Sequence, residues 1–67
     1  MRIYLNGREE EIAPQSTVAM LLEELELSPE LVTVTVNGLA VPRQDFASTV
    51  LGEGSRVEVI LFLGGGS

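Results

Sequence analysis

The residues with the clearest chemical use are the last ones, Leu63-Gly64-Gly65-Gly66-Ser67, which follow an apolar strand from Val57 to Phe62. Glycine has no Cβ, so a run of it can straighten and thread a channel too narrow for any side chain. Such a tail reads as an arm that enters another protein's active site, with the packed body as its handle. Gly-Gly-Gly-Ser is equally the composition of a flexible linker. The rest of the chain has to separate an arm from a spacer.

Other reactive side chains are scarce. The 67 residues include no histidine for proton shuttling, no cysteine for a nucleophile and no lysine for a Schiff base. The carboxylates of Glu9-Glu10-Glu11 and Glu23-Glu24 are sequence neighbours on a surface, not a pair converging in a pocket. A chain this short has little room for a deep cleft. The expectation is a protein that is not itself an enzyme and works through a partner.

Ten acidic residues against four arginines give a net charge of −6. An acidic body repels nucleic acid, and four scattered arginines form no stripe along a phosphate backbone. The same charge attracts a partner with a basic surface, or simply keeps a small protein in solution. Without cysteine there is no disulfide and no thiolate-bound metal. No stretch approaches the roughly 20 apolar residues that span a bilayer, and no signal peptide is legible. The reading is a cytoplasmic, soluble protein.

The elements that would position the tail are clear. Arg2-Ile3-Tyr4-Leu5 alternates polar and apolar; Asn6-Gly7 then signals a type I′ hairpin, and Arg8 to Ile12 forms a polar strand suited to a sheet edge. Ser16 or Thr17 can cap a helix whose Val18, Leu21, Leu22 and Leu25 fall at i, i+3, i+4 and i+7, with Ser28-Pro29 as its stop. That stripe reads as core. Val32, Val34 and Val36 alternate with threonines, Asn37-Gly38 repeats the turn signal, and Leu39-Ala40-Val41 returns to Pro42. Phe46 is expected beneath an irregular segment, and Gly52 to Ser55 turns into the last strand. The order β-β-α-β-β-β predicts an α+β domain over residues 1–63, a mixed sheet with one helix across one face, followed by a tail over 64–67.

In the last strand Val57, Val59 and Leu61 should face the helix, which turns Ile60 and Phe62 outward. Tyr4 takes the outer face of the first strand. If the first and last strands are neighbours, Tyr4, Ile60 and Phe62 form an apolar docking patch at the tail's root, joined by Leu63.

Taken in order, Asn6-Gly7, Thr17-Val18-Ala19, Leu21-Leu22-Glu23-Glu24-Leu25, Val34-Thr35-Val36-Asn37-Gly38, Val41-Pro42-Arg43, Gly54 to Val59 and Gly64-Gly65-Gly66 resemble one family over nearly the whole length. That family is the sulfur carrier proteins of thiamine biosynthesis, which are ubiquitin-like β-grasp proteins. No single piece is decisive; their joint order and spacing are.

The resemblance implies that an adenylyltransferase related to ubiquitin-activating enzymes binds the body and draws the tail over ATP and magnesium, which belong to that partner. The carrier itself then holds no stable cofactor. Gly66 would carry the carboxylate, reached through Gly64 and Gly65. It would attack the α-phosphate, become an acyl adenylate, and receive sulfur from a sulfur donor protein as a thiocarboxylate for thiazole synthase. Ser67 departs from the family ending, where glycine bears the free carboxylate. Either Ser67 is removed, or it is an added residue, or the chain is inactive as written. Other readings are a sulfur carrier for molybdopterin or another thiolated product, a conjugating modifier, and a non-catalytic β-grasp interaction module.

Overall fold

Both Asn-Gly steps make the turns expected of them. Asn6 and Asn37 adopt φ of 50° and 52°, and the glycines that follow adopt 83° and 85°. Positive φ at both central residues is the type I′ signature, whose twist matches that of the strands it joins. The computed structural model describes residues 1–62. Leu63, Gly64, Gly65, Gly66 and Ser67, and with them the expected domain boundary at 63/64, lie outside the described residues.

Among the described residues there are five strands, β1 (Arg2–Leu5), β2 (Arg8–Glu11), β3 (Val32–Val36), β4 (Leu39–Val41) and β5 (Arg56–Leu61), with one α-helix, α1 (Val18–Glu24), between β2 and β3. The sheet order is β2-β1-β5-β3-β4. The last strand is therefore the middle one, parallel to β1 and antiparallel to β3. The α+β, β-grasp expectation holds, mixed sheet included. Charged β2 occupies an edge with all four residues exposed, where its carboxylates disfavour pairing with another chain.

The helix covers one face. Val18, Leu21 and Leu22 are buried and meet Ile3, Val32, Val34 and Val57 from the sheet. Its first turn is closed by two carbonyls distant in sequence and by the capping Thr17. Val18 N–H donates to the carbonyl of Thr49, Ala19 N–H to that of Phe46, and Met20 N–H to the Thr17 hydroxyl at 3.2 Å. These donors have no partner within the helix, so the 46–51 segment docks by satisfying them. Phe46 is buried, as expected. Leu51 is buried too, its N–H donating to the carbonyl of Ser16.

The helix ends earlier than Ser28-Pro29. Glu26 takes φ of 59°, Leu27 N–H donates to the carbonyl of Leu22, and Glu26 N–H to that of Glu23. This is a Schellman closure, with glutamate where glycine is usual. One consequence corrects the expected stripe. Leu25 becomes the capping residue and is exposed, while Leu27 swings back against the core. Among the described residues, no helix is long and apolar enough to cross a membrane.

Candidate functional site

The candidate site is the end of β5, the last described stretch before Gly64, Gly65 and Gly66 in the sequence. Its first half is held from both sides. Tyr4 N–H donates to the carbonyl of Ser55 and Asn6 N–H to that of Val57; across the strand, Asn37 N–H donates to the carbonyl of Arg56 at 2.7 Å. Each turn asparagine also spends its side chain on β5. Arg56 N–H donates to Asn37 Oδ1 at 2.9 Å. Val59 N–H donates to Asn6 Oδ1 at 2.9 Å, while Asn6 Nδ2 donates to the carbonyl of Val59 at 3.2 Å.

Beyond Val59 the support thins. Val57 is buried and Val59 half-buried, whereas Leu61, expected inward with them, is 39% exposed. Its alternation is as predicted, since it lies opposite buried Val32. Among the described residues it has no neighbour on the β1 side, because that strand has already turned away.

The outer face separates the predicted docking residues into two groups. Ile60 and Phe62 are 57% and 53% exposed. Phe62 N–H donates to the carbonyl of Leu31 at 2.7 Å, which sets exposed Leu31 directly across from it. Leu31, Ile60, Leu61 and Phe62 thus make an apolar collar around the exit of the chain. Tyr4 does not belong to it. The first and last strands are neighbours as supposed, but Tyr4 registers with Arg56. Four residues of strand separate it from Ile60, about 13 Å at the ordinary rise. It lines a separate groove with Gly7, Arg56 and Glu58. A parallel neighbour that turns away after Leu5 cannot reach the strand's far end. Leu63 lies outside the described residues.

Leu31 was not singled out by the sequence, because it sits in a short 3-10 turn, Pro29–Leu31, outside the valine-threonine alternation. The usable signal was antiparallel register: once Val34 pairs with Val59, Leu31 must meet Phe62.

The profile of the ThiS family matches residues 3–66, from the second residue of β1 through the third glycine of the Gly-Gly-Gly run. The chain belongs to the ThiS family. A solved ThiS structure, a thiamine biosynthesis protein of Geobacter metallireducens, superposes with a TM-score of 0.84 at 35% identity, covering 98% of this chain and 100% of that one. A thiazole synthase of Paramagnetospirillum magneticum is 34% identical over 67 residues, all of this chain. One of Magnetococcus marinus is 38% identical over 66 residues, 98% of this chain. The chain spans only about a fifth of the length of these two relatives (21% and 20%).

Proposed function

We propose that this ThiS-family chain carries sulfur for construction of the thiamine thiazole ring, as a thiocarboxylate on Gly66. The observation that carries the reading is the path of β5. The strand is gripped at Arg56, Val57 and Val59, emerges through an apolar collar, and runs on into three consecutive glycines. A carboxylate on such an arm has reach but no local acid or base. Its activation therefore falls to a partner, an adenylyltransferase that uses ATP with magnesium on the triphosphate. Gly66 attacks the α-phosphate and pyrophosphate leaves; a sulfur donor protein then displaces AMP. The chain binds no cofactor of its own in this scheme and is not an enzyme.

Thiazole synthase is the proposed acceptor, supported by relatives of that name that contain a region similar to the whole of this chain. The same likeness favours it over a molybdopterin acceptor. The chemistry takes place in the cytoplasm in this reading, where ATP is supplied. Gly64 and Gly65 form the slim approach; Ile60 and Phe62, with Leu31, form the collar that the partner grips.

The test is incubation with a cognate adenylyltransferase, ATP and a sulfur source, followed by intact-mass measurement. Replacement of one terminal oxygen by sulfur is expected on a chain ending at Gly66. A chain ending at Ser67 is expected to exchange pyrophosphate poorly, since a hydroxymethyl group would have to enter a glycine-sized channel. Equal exchange by both chains would remove the requirement for glycine at the end.

A further inference from the structure

The two Asn-Gly turns share a backbone shape and a latent reaction, but their asparagine amides are held differently. A glycine brings no Cβ to shield its nitrogen, so that nitrogen can reach the Cγ of the asparagine before it. At both steps the approach is open. Asparagine and glycine are exposed, and no atom beyond the adjoining residues lies within 4 Å of where a Cβ on Gly7 or Gly38 would stand. Asn6 is held at both ends of its amide, Oδ1 accepting from Val59 N–H at 2.9 Å and Nδ2 donating to the carbonyl of Val59 at 3.2 Å. Asn37 is held at one end only, Oδ1 accepting from Arg56 N–H at 2.9 Å; among the described residues its Nδ2 has no acceptor. Asn37 and Gly38 also line a surface groove of about 340 Å³ with Thr35, Arg56 and Glu58.

We propose that Asn37-Gly38 is a site of covalent modification, deamidating through a succinimide, and that the fold protects Asn6-Gly7 from the same reaction. The Gly38 N–H gives its proton to hydroxide, and the nitrogen bonds to Asn37 Cγ. The Cγ–Nδ2 bond then breaks, and Nδ2 leaves as ammonia with a proton taken from water. A second water opens the imide. Opening at Cγ leaves aspartate; opening at the backbone carbonyl of residue 37 leaves isoaspartate, with the chain routed through Cβ and Cγ. The bonds to be given up decide where this runs. Asn37 releases one and its leaving nitrogen meets water directly, whereas Asn6 must release two, one of them on that nitrogen. The products differ in consequence. Aspartate at 37 still accepts from Arg56 N–H and adds one negative charge to a chain of −6. Isoaspartate adds one backbone atom between Val36 and Leu39, which pair across the turn, and so loosens edge strand β4. β1 and β5, tied through Asn6, keep their register.

The test ages the whole folded chain at mildly alkaline pH and digests it with trypsin. Cleavage after Arg2, Arg8 and Arg43 puts Asn6 on peptide 3–8 and Asn37 on peptide 9–43. Mass measurement then follows replacement of the amide NH2 by OH at each site. Asn37 is expected to convert at least about fivefold faster than Asn6, the weight of one further hydrogen bond to be broken. An isoaspartyl methyltransferase should label peptide 9–43 ahead of peptide 3–8. In urea both amides are released and the advantage should vanish, since bulky Leu5 and Val36 precede the two sites and neither favours Asn37. Equal rates in the folded chain overturn the proposal, and so does conversion led by Asn6. A fivefold advantage that persists in urea overturns it as well, because the cause would then lie in the local sequence and not in the fold.

Discussion

At Val57, β5 has a strand on either side and the helix above; at Leu61 it has β3 alone. The two residues share one face of one strand, yet one is wholly buried and the other 39% exposed. The difference comes from the length of the neighbour, not from side-chain chemistry. β1 accompanies β5 only through Leu5 opposite Val57, and Asn6 extends the pairing by one amide to Val59. Stability is thus concentrated at the start of the strand and exposed apolar surface at its end.

The contrast breaks most visibly under truncation in the core. Val57→Ala should destabilise the fold by about 2 kcal/mol, read as a fall in the urea midpoint, whereas Leu61→Ala should cost less than about 1 kcal/mol. Comparable costs would mean that the end of β5 is as much a part of the core as its beginning. At the other end, Phe62→Ala and Ile60→Asp should leave the urea midpoint nearly unchanged. Each is expected to weaken partner binding by about 2 kcal/mol, the usual weight of an exposed apolar anchor, measured by titration calorimetry. If both variants bind normally, the collar is not the docking surface.

The asparagines sharpen the boundary. Glycine can hold the left-handed turn at either position, so Asn6→Gly tests the side-chain bonds to Val59 with the hairpin preserved. A loss of about 1–2 kcal/mol is expected for its two bonds, and about half that for Asn37→Gly, which gives up one. Amide exchange at Val59 should quicken in the first variant only. The smallest effect is a gain. Glu26→Gly relieves a left-handed glutamate and should raise stability by about 1 kcal/mol. Exchange at Val57 should slow in proportion, while Leu61, which opens locally, should not respond.

Much of this was legible in the sequence because it is encoded locally. Asn-Gly fixes a turn, Val-Thr alternation fixes a half-buried strand, and spacing at Val18, Leu21 and Leu22 fixes a helix face. The misplacements of Tyr4 and Leu25 have non-local or cooperative causes. Tyr4 belongs to a different neighbourhood because parallel register between strands some 50 positions apart in the sequence is set by the whole sheet, not by either strand. Leu25 left the core because the helix closes on Glu26, a residue type that carries no stop signal. Leu51 was invisible in a polar stretch without periodicity. The second use of Asn6 and Asn37, as clamps on β5, could be seen only once the strand they reach was known to lie between the two hairpins.

β5 is the last of the five strands to leave the ribosome, and it sits at the centre of the sheet. The β1–β2 and β3–β4 hairpins have no common strand boundary until it arrives. A polypeptide cut short before Arg56 is left as two ribbons that share no strand and a helix whose sheet lacks its middle. Every molecule that folds has therefore already made the strand that leads, in the sequence, into the three glycines.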